Sequence, residues 1–154
     1  MVQTQIVRDF IKGLQSAEEN GDPTSLAKLF APEAELLNLT RPTARASESN
    51  RKKACKATAF FSQYLSAFDY VSSHFTNVIE DQDSAVLEWH STGRLHMGKQ
   101  VDYSGVSVLE HDGEKIKSFR TYYDSAALLP NISLSAKSVS ETAGIPAITN
   151  EATS

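Results

Sequence analysis

Glu88 and His90 stand two residues apart in the stretch SAVLEWHSTGRLHMGKQVDYSGVSVLEHDGEKIKSFRTYYD, which runs from Ser84 to Asp124. On an extended chain, residues two apart share a face and lie about 7 Å from each other, from a rise of roughly 3.3 Å per residue. Both side chains then reach one bound molecule. A histidine titrates near neutrality and is the natural general acid or base for moving a proton on a carbon acid. A carboxylate beside it favours the imidazolium, and an apolar wall disfavours it. Of the tyrosines that follow, Tyr103 and Tyr123 are the candidates, since a phenol suits hydrogen bonding to a developing enolate oxygen.

The elements that must position these groups are legible in the same stretch. Val, Leu, Trp, Tyr and Phe alternate with polar residues, and turns fall at Met97-Gly98-Lys99 and His111-Asp112-Gly113. The pattern predicts three strands in a meander. On the first strand, alternation puts Glu88, His90, Thr92 and Arg94 on one face and Leu87, Trp89, Ser91, Gly93 and Leu95 on the other. Two readings are open. In one, the Glu/His row faces a ligand; in the other, the Leu/Trp row faces the core and the Glu/His row is wet.

A meander cannot bury its own apolar face, so the upstream helices must cover it. Ile6, Phe10, Leu14 and Ala17 recur at helical spacing between Thr4 and Asn20. Gly21 ends that helix, and Asp22-Pro23 begins a shorter one carrying Leu26, Leu29 and Phe30. Ala31-Pro32-Glu33 stops it, and Ala34–Leu39 reads as a strand. After the polar connection Thr40–Asn50, a third helix is expected over Arg51–Phe68, with Phe61 and Leu65 on its apolar stripe. A fourth strand is expected near Tyr70–Glu80, and a turn at SAALL after Asp124, which that aspartate caps. Residues 1–130 read as one domain, and 131–154, rich in Ser, Thr and Ala, as a tail that is flexible or packed on a partner subunit. Helices ahead of an antiparallel meander argue for an α+β fold.

The bulk numbers exclude several classes. A net charge of -4 over 154 residues offers no basic surface for nucleic acid. The one cysteine, Cys55, makes no disulfide or cysteine-built metal site. The other histidines, His74, His96 and His111, form no metal-ligand pattern, so no metal is expected. No apolar run reaches membrane-spanning length and no signal peptide opens the chain, so a cytoplasmic protein is expected.

The run GDPTSLAKLFAPEAELLNL, the long third helix, and a last strand ending RTYYD before SAALL resemble the NTF2-like superfamily across Val2–Leu129. SnoaL-like polyketide cyclases are the most similar branch, with ketosteroid isomerases and limonene epoxide hydrolases as relatives. The resemblance implies a curved antiparallel sheet wrapped around the helices, an α+β cone with an apolar pocket. It further implies a hydrophobic small-molecule ligand, no cofactor, and a homodimer formed through the outer face of the sheet. A gapless match to the epoxide hydrolases from Gly98 outward puts Glu88 and His90 on a pocket arginine and aspartate, Asn38 on a pocket asparagine, and Thr121 on a second catalytic aspartate. The acid–arginine–acid apparatus is thus missing, which argues against epoxide hydrolysis.

The resulting expectation is isomerisation or cyclisation of a polyketide- or terpenoid-like substrate, with His90 and Glu88 catalytic. Asn38, Trp89, Thr92, Tyr103, Phe119, Thr121, Tyr123, Phe61 and Leu65 are expected to contact the substrate. The alternative is a ligand-binding or assembly module of the same fold, and a transport adaptor ranks last. A buried Glu88–His90 pair favours the enzyme; an exposed pair with the cone filled by Phe and Tyr favours the module.

Overall fold

The computed structural model describes residues 3–38 and 56–128. Helix α1 (Gln5–Asn20) buries Ile6, Val7, Phe10 and Ala17 on one stripe. Helix α2 is a single turn (Thr24–Ala27), entered through Asp22, whose carboxylate accepts the Thr24 backbone N–H at 3.0 Å. Strand β1 (Phe30–Asn38) follows at once. Phe30, read from the sequence as helical, therefore opens a strand. The backbone explains why: the Leu29 carbonyl accepts the N–H of Ile116 at 2.8 Å, so sheet pairing competes with a second helical turn.

Helix α3 is described over Lys56–Ser66; the residues expected to start it lie outside the described ones. It ends before Phe68, which pairs with Leu95 and begins strand β2 (Phe68–Glu80) rather than closing the helix. Strands β3 (Ser84–Leu95), β4 (Gln100–His111) and β5 (Ile116–Tyr123) form the expected meander. A 3-10 turn, Ser125–Leu128, follows Asp124, which accepts the Ala126 N–H at 3.2 Å. The hairpin between β4 and β5 is held by Asp112, which accepts the N–H groups of Lys115 and Glu114 at 2.8 and 2.9 Å; those bonds draw its carboxyl down to about 2. Gly113 supplies the positive φ of 93° that this turn requires.

The five strands lie in the order β1-β5-β4-β3-β2. The last four elements pair antiparallel, but β1 runs parallel to β5. The sheet is thus mixed and not closed, where an antiparallel one was expected. Parallel neighbours need a crossover connection, and here the rest of the chain supplies it. Pro32 falls inside the register shift between Phe30 and Glu35, where a missing ladder donor is tolerated.

One face of the sheet carries Ala85, Leu87, Leu109, Ile116 and Phe119 into a core with Phe10, Leu26, Phe30 and Phe61. Phe61 and Phe119 lie 5.7 Å apart between ring centroids, and Phe60 lies 5.8 Å from Phe119. This end of the expected pocket is filled with rings. No helix among the described residues is long and apolar enough to cross a membrane.

Candidate functional site on the concave face

The face that packs on the helices carries three rows of side chains beyond the aromatic plug. Paired residues place Asn38, Thr121, Ser107 and Leu87 in the first row. Tyr123, Gly105, Trp89 and Phe75 form the second, and Tyr103, Ser91 and Ser73 the third. Polar side chains inside a core must find partners, and these do. The Trp89 indole Nε1–H donates to Ser107 Oγ at 2.9 Å, and Ser107 Oγ donates to Thr121 Oγ1 at 3.1 Å. The Asn38 amide donates to the Tyr123 hydroxyl at 2.8 Å.

Trp89, Tyr103 and Tyr123 make one aromatic wall. Trp89 stands edge-on to Tyr103 at 5.5 Å and 90°, and Tyr103 to Tyr123 at 5.8 Å and 66°. Gly105 makes this wall possible. A Cβ there would lie 2.4 Å from Trp89 Cζ2 and 2.5 Å from the Tyr122 carbonyl, so only glycine lets the indole lie across β4.

Behind the wall lies a carboxylate the sequence reading passed over. Glu18 of α1 accepts three bonds: the Ser73 backbone N–H at 2.8 Å on Oε1, and the Ser73 and Tyr64 hydroxyls at 2.6 Å each on Oε2. Ser73 Oγ in turn lies 2.7 Å from Ser91 Oγ. Tyr103 is the register partner of Ser91 across β3 and β4, beside this cluster. Burial pushes the Glu18 carboxyl above its ordinary value, against the three hydrogen bonds, which act to lower it. Burial likewise pushes both phenols, Tyr64 and Tyr103, well up, so they are held protonated as donors.

The outer face holds the residues expected to be catalytic. Leu87 and Ser91 are fully buried, and alternation turns Glu88, His90 and Thr92 away from the helices. This corrects the placement of all three. Turning the strand over would expose Leu87 and Leu95 at about 1.5–3 kcal/mol each and bury a carboxylate in exchange. A slip of one residue reverses every side chain, so the gapless match that set Glu88 and His90 in the pocket lands on the wrong face. There Glu88 accepts the Asn77 amide at 3.0 Å. His90 Nε2 lies 2.7 Å from Asp102 Oδ1, and Nδ1 lies 2.9 Å from Ser104 Oγ. The imidazole is 41% exposed and Asp102 is 72% exposed. The imidazole borders a groove with Thr76, Glu88, Trp89, Ser104, Gly105 and Val106.

The other expected residues divide as follows. Asn38, Trp89, Tyr103, Thr121 and Tyr123 come together on the concave face. Phe61 and Phe119 belong to the aromatic plug, and Leu65 packs between it and the Tyr103 cluster. Glu18, Tyr64, Ser73, Ser91 and Ser107 were missed. One signal existed for Glu18: it follows Ile11 and Leu14 at helical spacing, so a carboxylate interrupts an apolar stripe.

A family model for the SnoaL-like domain matches residues 7–119. The chain belongs to the SnoaL-like family. The structure of this SnoaL-like chain is similar to that of a ketosteroid isomerase-like protein from Catenulispora acidiphila, solved with trimethylamine: 16% identity, TM-score 0.66, covering 88% of this chain and 98% of that one. An NTF2-like protein from Anabaena variabilis gives 16% and 0.63, covering 82% and 96%. TsrD from Streptomyces laurentii gives 16% and 0.63, covering 83% and 95%. At these identities the likeness establishes the NTF2-like fold alone. No curated protein sequence matches the chain.

Proposed function

We propose that this SnoaL-like chain is a cytoplasmic small-molecule enzyme that needs no cofactor. It isomerises or cyclises a hydrophobic polyketide- or terpenoid-like substrate by acid–base chemistry at the concave face. The observation that carries the reading is the wall of Trp89, Tyr103 and Tyr123, which combines apolar area with hydroxyl and indole donors inside a dry interior. Buried phenols that stay protonated are preorganised donors for an oxygen that gains charge in an enolate-like transition state. Tyr103 takes that role, Tyr123 with Asn38 and Thr121 orients the ligand, and Trp89 stacks against it. Residues 1–130 form the working domain.

The outer face has a separate role in this proposal. Ile79 and Tyr122 are exposed there, and half-buried Val86, Val106 and Val108 lie between them. We assign this surface to a homodimer, with His90, Asp102 and Glu88 at its polar margin.

A second reading, a binding or assembly module without turnover, draws on the ring-filled end of the cone and on the exposed Glu88–His90 pair. One experiment separates the two. Hydrophobic ketones are incubated with the protein in D2O and followed by NMR for exchange at the α-carbon. The enzyme reading expects exchange that falls at least about tenfold in Tyr103→Phe, the size of a lost transition-state hydrogen bond. Saturable binding without exchange supports the module, and neither binding nor exchange overturns both.

A further inference from the structure

A chain of hydrogen bonds has a direction, and its first member sets it. An indole N–H can only donate. The Trp89 Nε1–H gives its proton to Ser107 Oγ at 2.9 Å, and Ser107 Oγ gives its own to Thr121 Oγ1 at 3.1 Å. Thr121 is thus the acceptor towards Ser107, and its own hydroxyl proton must turn elsewhere. Among the described residues that proton meets no acceptor. Thr121 is 8% exposed, and a donor left unpaired at that depth is costly. A ligand oxygen is the partner it lacks.

Position says which oxygen. Ser107 and Tyr103 stand four residues apart on β4, about 13 Å at roughly 3.3 Å per residue. One oxygen cannot serve donors at both places. Between them the Trp89 indole lies across β4 at Gly105, so an apolar surface separates the two donors.

We propose that Thr121 binds a second oxygen of the ligand, distinct from the one on Tyr103, and that Trp89 and Ser107 keep it a donor. The assignment rests on the reading that the ligand binds at the concave face. It narrows the ligand to an apolar body with an oxygen acceptor towards either end, such as a diketone. A carbonyl suits Thr121 because it accepts and brings no proton of its own, whereas an amine there would set donor against donor. Thr121 acts by touching the ligand; Ser107 acts through Thr121 and is a positioning residue.

The test compares 2,6-diacetylnaphthalene with 2-acetylnaphthalene, which share the apolar body and differ by one carbonyl. Equilibrium dialysis against the full chain gives the affinities, and the Trp89 indole N–H resonance reports whether each probe sits on the concave face. A carbonyl is costly to take out of water, so the second one strengthens binding only where a donor meets it. The wild type is expected to hold the diketone about tenfold more tightly than the monoketone, the size of one hydrogen bond. Thr121→Val keeps the shape without the hydroxyl and is expected to lose that gain, while Thr121→Ser keeps most of it. The infrared carbonyl stretch of the bound diketone is expected to rise in Thr121→Val, a change that loosened packing alone would not give. No gain in the wild type, or a gain that survives in Thr121→Val with an unchanged near-ultraviolet dichroism spectrum, overturns the assignment and leaves the concave site standing. A separate probe, 2,4-dinitrophenolate, an aromatic anion that mimics the enolate, tests the site itself. If it fails to shift the indole resonance of the wild type, the concave-site reading falls, and the Thr121 assignment with it.

Discussion

The two faces of strand β3 carry similar chemistry in opposite surroundings. Outward, His90 reaches an aspartate at 2.7 Å and a serine at 2.9 Å, a row of groups that on paper looks catalytic. Inward, Trp89 and Ser91 belong to hydrogen-bonded networks that lead to Glu18 and Thr121. The difference is water. Solvent screens an exposed ion pair, which contributes little, whereas burial magnifies every hydrogen bond and shifts the groups that titrate. Burial displaces Glu18, Tyr64 and Tyr103 upward. Proximity of suitable residue types is therefore a poor guide to a site unless the dielectric around them is also known.

This contrast can be broken from either side. The largest effect is expected from Phe119→Ala, which removes a ring in contact with Phe10, Phe30, Phe60 and Phe61. It should lower stability by about 3–5 kcal/mol in urea unfolding. A loss below 1 kcal/mol, within the spread of an ordinary surface change, would mean the plug is loosely packed and the pocket more open than described. Gly105→Ala comes next, at about 1–3 kcal/mol, because its Cβ meets Trp89 and the Tyr122 carbonyl. It should also change the tryptophan fluorescence, since the indole must leave Ser107.

Glu18→Gln has a smaller effect whose sign depends on pH. The folded chain raises the Glu18 carboxyl above its ordinary 4.5, so it holds that proton more tightly than the unfolded chain does. The stabilisation this gives is complete below the ordinary value and is lost as pH rises through the raised one. The stability of the wild type relative to Glu18→Gln should therefore fall as pH rises above the ordinary carboxylate range. A flat difference in urea midpoints across that range would show that burial at this carboxyl is offset. The smallest change is expected on the outer face. His90→Ala should alter monomer stability by only about 0.2–1 kcal/mol, and an effect as large as that of Gly105→Ala would reverse the contrast between the faces.

Most of the fold was legible from period and punctuation. The helical stripe from Ile6 to Ala17 and the alternation through β3, β4 and β5 match the structure closely. The Asp112-Gly113 hairpin does too, because its turn is a local interaction of the carboxylate with the N–H groups of Glu114 and Lys115. Phe30 was misread because Leu26, Leu29 and Phe30 keep helical spacing, while what decides the matter is the bond from Ile116, distant in sequence. Parallel pairing of β1 with β5 is equally non-local.

The site was legible only in part. Asn38, Trp89, Tyr103, Thr121 and Tyr123 share one face of the sheet, but which face of β3 packs on the helices was left open by the sequence, because Ser91 and Gly93 dilute the apolar row. The cluster around Glu18 was missed because its members come from α1, α3, β2 and β3, and only the register of Ser73 on Ser91 joins the strands.

The most direct test of the central claim is an NMR titration of the full chain with 2,4-dinitrophenolate, observing the Trp89 indole N–H and the His90 imidazole together. Trp89 is the only tryptophan in the chain, so its signal needs no further assignment. A saturable shift of the indole resonance with the imidazole unmoved is the result expected for a site on the concave face. A saturable shift of the imidazole with the indole unmoved would put the binding site on the outer face and contradict the account.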